Sequence, residues 1–337
     1  MKKNIIIIAE AGVNHNGKLS IAKKLIDGAS DAGADYVKFQ LFKAKDLVSI
    51  GTNKAEYQKK GTKKSIDQFE MLKKLELSEL SHIRLKKYAH KKNIGFLTSA
   101  FDINGLYFIK KLKTDYIKIP SGEITNVPYL KEVGLINKLT ILSTGMSTFN
   151  EIDFAIKTLL KSGLSRKKLT VMQCNTEYPS PIEESNINAM VSMKNKLKVS
   201  VGYSDHTLGF ESAMAATALG AEIIEKHITT NRKLIGPDHF ASVEINDFKL
   251  MVNMIRNTKL ALGSYKKMPS YQEKKNIMVS RKKILTSRNI KKNEIFTKKN
   301  IIALRSNNGI SSVYWDQIIG KKASKDYKSN EPIFFKK

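Results

Sequence analysis

Among 337 residues there is one cysteine, Cys174. A lone thiol cannot close an intrachain disulfide, so a reducing compartment is expected, and the cytoplasm fits. Long apolar runs are missing too: none approaches the roughly 18 residues of a membrane span, so no segment is expected to cross a bilayer. The N-terminal MKKNIIIIAEAG starts basic and turns apolar. That stretch is short and lacks a small-residue cleavage site, so it reads as a first strand rather than a leader. Acidic residues are scarce, with 31 Asp and Glu against 59 Lys and Arg, a net charge of +28. Dense lysine can bind nucleic acid or anionic membranes by releasing counterions. Here the lysines are spread along the whole chain with no interleaved stripe of aromatic stacking platforms, so neither partner is expected. A basic mouth would still attract a small anionic substrate.

What is present is a regular succession of short apolar runs that end in polar residues. Glu10 follows IIIIA, Lys38 and Gln40 lie in YVKFQ, Lys118 to Glu123 in YIKIPSGE, and Ser143 in TILST. Tyr178 follows in TVMQCNTEY, then Ser204 and His206 in VSVGYSDH, and Glu225 and His227 in EIIEKH. Helix-like stretches separate them. The first has Ile21, Ala22, Leu25, Ile26 and Ala29 at helical spacing, with Ser20 as expected N-cap and Gly33 as stop. Eight candidate strands follow, at 4–9, 36–40, 95–99, 116–120, 139–143, 169–173, 199–203 and 222–226, with a helical insertion at about 45–90. Repeated βα units of this kind predict an α/β fold, a (β/α)8 TIM barrel that aims side chains from many strands into one mouth. Domain boundaries are expected at 1–265 for the barrel, 266–279 for a polar linker and 280–337 for a small β-rich module.

His206 and His227 sit on the seventh and eighth candidate strands, hence side by side at one rim. Two neutral imidazoles make a half-site for a divalent transition metal, although histidines are more often structural. His15, in VNHNG, is open between a ligand and a turn residue; His82 and His90 read as solvated, and His239 is ambiguous. Lys38 and Lys118 lie in strands that should face the core, and a buried ammonium requires an anion. Ser121, Ser143 and Ser204 could complete a cradle for phosphate or carboxylate. Glu10, Glu123 and Asp238 bring carboxylates to the same side, or serve as caps and surface pairs. Jointly the pattern describes an enzyme handling a phosphorylated anion and a hydroxylated co-substrate.

The motifs AEAGVNHNG, ADYVKFQLFKAKDLV, NKAEYQ, YIKIPSGEITN, ILSTGM, CNTEYPSP, GYSDHTLG, EKHIT and GPDHFAS resemble those of the sialic acid synthases, nearly end to end. That resemblance implies condensation of phosphoenolpyruvate with N-acetylmannosamine, or with a 2,4-diacetamido-trideoxy hexose in the legionaminic and pseudaminic branches. The CNTEYP, NKAEYQ and WDQIIGK stretches favour N-acetylmannosamine. RKKILTSRNIKKNEIF, LRSNNGIS and IIGKKA look like the antifreeze-like (SAF) domain, a β-clip, which implies a homodimer with swapped C-terminal domains. Residue by residue, the resemblance implies His206 and His227 as metal ligands, usually for manganese, with magnesium or cobalt as alternatives, and Glu10 as the catalytic carboxylate. It places phosphoenolpyruvate at Lys38, Lys118, Ser121, Ser143, Thr176 and Ser204. The amino sugar falls to Gln40, Glu123, Tyr178 and Asp238, with Arg305 reaching over from the partner. TSAFD, Gln173 and LRSNNGIS depart from the family pattern, and Ser306 in place of proline loosens the segment carrying Arg305. Two other readings stand beside this one: an aldolase using Lys118 as an imine-forming amine, and a non-catalytic sugar-binding protein.

Overall fold

The computed structural model describes residues 5–62 and 66–334. They divide into two compact units, with the boundary between Gly263 and Ser264.

The first unit is a closed parallel barrel. Its strands are β1 (Ile6–Gly12), β2 (Tyr36–Leu41), β3 (Gly95–Ala100), β4 (Tyr116–Ile119), β5 (Leu139–Ser143), β6 (Leu169–Cys174), β7 (Ser200–Asp205) and β8 (Ile223–Thr229). Each pairs with the next, and β1 pairs with β8 to close the ring. All eight candidate segments contain strands, with residue 4 of the first lying outside the described residues. Their isoleucine and valine content follows from burial on both faces, against the barrel axis inside and the helices outside. The outer core holds most of the apolar mass, including Leu25, Ile26, Phe39, Leu85, Ile109, Leu130 and Ile156. A two-residue strand, β9 (Val243–Glu244), extends β8 in parallel.

Inside the ring the side chains form layers, because residues two apart on a strand share a face. The lower layer is apolar: Ile8, Leu97, Ile141, Met172 and Ile223, with Tyr36 and Tyr116 against them. Two residues further along the same strands come Glu10, Ser99, Ser143, Cys174 and Glu225, together with Lys38 and Lys118 above the tyrosines. The hydrophobic plug thereby fixes the height at which the polar side chains emerge.

The first helix, Leu19–Asp31, buries Ala22, Leu25, Ile26 and Ala29 as its spacing requires. Its N-cap is Lys18, without a side-chain hydrogen bond, and Ser20 lies within the first turn. The chain becomes helical before Ser20, so the expected serine cap is not used. Gly33, at φ +82°, does take the left-handed conformation that ends such a helix. The insertion after β2 forms helices Ala44–Leu47, Glu56–Gly61, Gln68–Leu75 and Glu79–Lys91.

The second unit contains an antiparallel pair, β10 (Lys282–Thr286) and β11 (Ile301–Arg305). Isolated bridges at Leu285–Pro332, Ile290–Tyr327 and Ile295–Lys322 complete a β-rich fold around Ile284, Ile290, Phe296, Ile301, Ile318 and Ile333. Within the segment read as a polar linker, residues from 271 onward form an exposed helix, Tyr271–Ser280. Ser270 accepts from the Glu273 amide while Glu273 accepts from the Ser270 amide, a capping box that stabilises a helix without packing. Among the described residues no helix is long and apolar enough to cross a membrane.

Candidate functional site

A cleft of about 630 Å³ opens at the C-terminal ends of the barrel strands. It is lined by Glu10, Lys38, Gln40, Lys118, Ser121, Glu123, Ser143, Thr176, Tyr178, Ser204, His206 and His227. Every one of these was a candidate from sequence. Asp238 lies beside the group, with Oδ2 3.8 Å from His227 Nδ1. Arg305 is exposed on β11 in the second unit.

Lys38 and Lys118 have the anions they require. Lys38 Nζ is 3.0 Å from Glu10 Oε2 and 3.5 Å from Glu225 Oε1, and it donates to Ser99 Oγ at 3.3 Å. Lys118 Nζ donates to both oxygens of Glu225, at 2.9 and 3.2 Å. Ser204 Oγ donates to Glu225 Oε1 at 3.1 Å. Glu225 was seen in sequence only as a polar strand end. The available signal was alternation, because Ile223, Glu225 and His227 must share one face of β8.

All four charges are almost completely buried, and burial sets their proton affinities apart. For Glu10 burial dominates and raises the pKa despite Lys38. Glu225 is held down at about 2: burial opposes its charge, but Lys118 and Lys38 outweigh it. Burial also works against both ammoniums. Glu10 and Glu225 overcome it for Lys38, which is raised; for Lys118 burial, with repulsion from Lys38, lowers the pKa.

Above this layer the two imidazoles stand with centroids 5.4 Å apart. Burial depresses His206 to about 4 and, with His206 adding to it, takes His227 well below its ordinary value, so both are neutral. His206 Nδ1 donates to the Asn175 carbonyl at 2.6 Å, which leaves Nε2 with its lone pair, 3.4 Å from Ser204 Oγ. Among the described residues His227 Nδ1 is buried without a hydrogen-bond partner. Neutral rings with one unprotonated nitrogen each fit a divalent transition ion, as a two-nitrogen half-site. Among the described residues no group of three His, Cys, Asp or Glu side chains could hold a metal, so other ligands would have to come from substrate or water. Gly12, at φ +50°, lies so close that a Cβ there would stand 3.3 Å from the His227 ring.

An aromatic series leads away from the histidines. Tyr178 stacks on His206 at 4.1 Å, and Tyr57, from the insertion after β2, packs on Tyr178 at 4.8 Å. The same insertion lines the cleft with Leu47, Val48, Ala55 and Leu72. Asp238 is raised to about 7 by burial and by Glu10.

The remaining histidines sort by burial. His82, expected in solvent, is buried between Phe96 and Phe108, because its helix face packs on the barrel. His90 is exposed, as expected. His15 is a buried turn residue whose Nδ1 accepts from the Gly17 amide at 3.0 Å. His239 is buried, 2.7 Å from Thr229 Oγ1.

Comparison with known proteins places this geometry. The NeuB family model matches residues 25–267, and the SAF domain model residues 284–337. The N,N'-diacetyllegionaminic acid synthase of Campylobacter jejuni is 47% identical, over 98% of this chain and 99% of that protein. The Legionella pneumophila protein of the same name is 41% identical, over 94% and 90%. The crystal structure of N-acetylneuraminic acid (sialic acid) synthetase from Leptospira borgpetersenii serovar Hardjo-bovis superposes with a TM-score of 0.72 at 32% identity, covering 81% of this chain and 90% of that one. These matches displace the reading as a non-catalytic sugar-binding protein. The chain belongs to the NeuB family, carries a SAF domain at its C-terminal end, and is a phosphoenolpyruvate-dependent, carbon–carbon bond-forming transferase with sialic acid synthase-type chemistry.

Proposed function

We propose that the acceptor is a 2,4-diacetamido-trideoxy hexose and that the product is a legionaminic-type nine-carbon acid. Short motifs favoured N-acetylmannosamine; the two relatives at 47% and 41% identity favour the diacetamido sugar instead. The observation that carries this choice is that Leu47, Val48 and Leu72 line the same cleft as the charged strand ends. A sugar with a C6 methyl and two acetamido methyls gains from contact with such side chains.

In this reading Lys38 and Lys118 hold the phosphate and carboxylate of phosphoenolpyruvate, with Ser121, Ser143, Thr176 and Ser204 around them, as preorganised electrostatics. Gln40, Glu123, Tyr178 and Asp238 orient the sugar. Arg305 joins them from the partner in a homodimer with swapped C-terminal domains. His206 and His227 hold a divalent ion, manganese being the first choice, which supplies Lewis acidity at the aldehyde oxygen when bound. The enol carbon of phosphoenolpyruvate attacks the aldehyde carbon, the C=O pair moves to oxygen, which takes up a proton to become a hydroxyl, and water adds at the cationic C2 that results. The C2–O bond then breaks, phosphate leaves with the bridging oxygen and the proton of the C2 hydroxyl, and C2 becomes a ketone. Glu10, receiving Gln40 Nε2 at 3.1 Å and facing Lys38, accepts the water proton. Lys118, engaged by both oxygens of Glu225, acts through its charge and forms no imine. The buried thiol of Cys174 suits a cytoplasmic setting.

The test is phosphate release with manganese, phosphoenolpyruvate and each candidate sugar, with the product mass determined. A higher kcat/KM for N-acetylmannosamine than for the diacetamido sugar would overturn the assignment.

A further inference from the structure

We infer that Tyr57 is a specificity-determining residue, whose ring reads the far end of the open-chain sugar; the inference rests on the acceptor reading above. Tyr57 is the third ring of a series that starts at the candidate metal half-site: His206, then Tyr178 at 4.1 Å, then Tyr57 at 4.8 Å. The aldehyde carbon must lie at the histidine end, where the enol carbon meets it. The part of a six-carbon chain furthest from the reaction therefore runs along Tyr178 towards Tyr57.

The surroundings of Tyr57 match that end of a deoxy sugar. The ring is half-buried and lines the cleft, so a face remains for a ligand. Leu47 and Val48 come from the same insertion. Burial, reinforced by the Asp238 carboxylate, raises the pKa of the phenol well above its ordinary value. An aromatic face rewards C–H groups and a methyl.

The helix that carries Tyr57, Glu56–Gly61, is held in place by the loop after β8. The Gly236 amide donates to the Gly61 carbonyl at 3.0 Å. A Cβ on Gly61 would lie 2.3 Å from the Gly236 carbonyl oxygen, so only glycine permits this approach. Asp238 is two residues beyond Gly236, and the contact therefore sets Tyr57 and Asp238 at fixed positions relative to each other.

The experiment compares kcat/KM for the diacetamido-trideoxy hexose and for N-acetylmannosamine in the wild type and in Tyr57→Ala, Tyr57→Leu and Tyr57→Phe. The ratio of the two should fall about tenfold in Tyr57→Ala, the scale of one apolar contact in a pocket. The change should appear in the KM for the sugar, while the KM for phosphoenolpyruvate stays within about twofold, and Tyr57→Phe should keep most of the ratio. A ratio that does not move, or an equal fall for both sugars with a raised KM for phosphoenolpyruvate, would overturn the inference. If Tyr57→Ala melts below assay temperature, Tyr57→Leu decides by the same ratio. A wild type that prefers N-acetylmannosamine defeats the acceptor assignment alone, because the role of Tyr57 is judged by whether the ratio changes on substitution.

Discussion

Glu225 receives Lys118 through both of its carboxylate oxygens, at 2.9 and 3.2 Å, and one of them also faces Lys38 at 3.5 Å. Glu225 thus serves both ammoniums, as the bidentate partner of Lys118 and as the second carboxylate beside Lys38, whose nearer one is Glu10 at 3.0 Å.

Removing that charge should be costly. Glu225→Gln leaves Lys118 buried with a weakened partner, and loss of one member of a buried pair typically costs about 3–5 kcal/mol. Denaturant unfolding should show a loss of that order. Inorganic phosphate should restore part of the melting temperature, since an anion can take up the freed ammoniums. An unchanged melting curve would show that Glu225 does not carry the pair.

Metal binding should depend on both imidazoles. Titration calorimetry should show manganese binding to the wild type, weakened by about a hundredfold or more in His206→Ala and in His227→Ala. Stripping the ion with a chelator should abolish phosphate release, and re-adding it should restore release in the wild type only. Equal manganese affinity in wild type and variants would remove the ligand assignment, whatever the activity.

Acid should destabilise the barrel through histidines outside the cleft. Burial lowers His15 from 6.5 to about 3, where His82 and His239 add to the effect, and lowers His239 from 6.5 to about 4. The unfolded chain protonates these rings below pH 6.5 and the folded chain resists, so stability present above 6.5 is lost as pH falls towards 4. His15→Asn keeps an acceptor for the Gly17 amide and removes one titrating ring. Its melting temperature should therefore decline less between pH 6.5 and 4; an identical decline would mean that His15 contributes nothing.

The strands were legible because each is a short apolar run buried on both faces, and their order followed from the helices between them. Cleft residues at strand ends were legible for a related reason: Lys38 and Lys118 could not sit in a core without anions. The identity of those anions was not legible. Glu225 lies over a hundred positions from Lys118, and only closure of β8 against β1 brings the two strands into one layer. His82 was misread because its helix is polar on average, while the one face turned to Phe96 and Phe108 is buried.

Composition, alternation and helical spacing by themselves determined the barrel, the β-rich C-terminal unit and the pool of charged, hydroxyl and imidazole groups, because local periodicity selects which faces must leave water. Only the tertiary structure decided which carboxylate answers each ammonium, which histidines are neutral beside the cleft, and that Tyr57 packs on Tyr178. Those relations join residues far apart in the chain, and distance in a folded ring of strands has no local signature in the sequence.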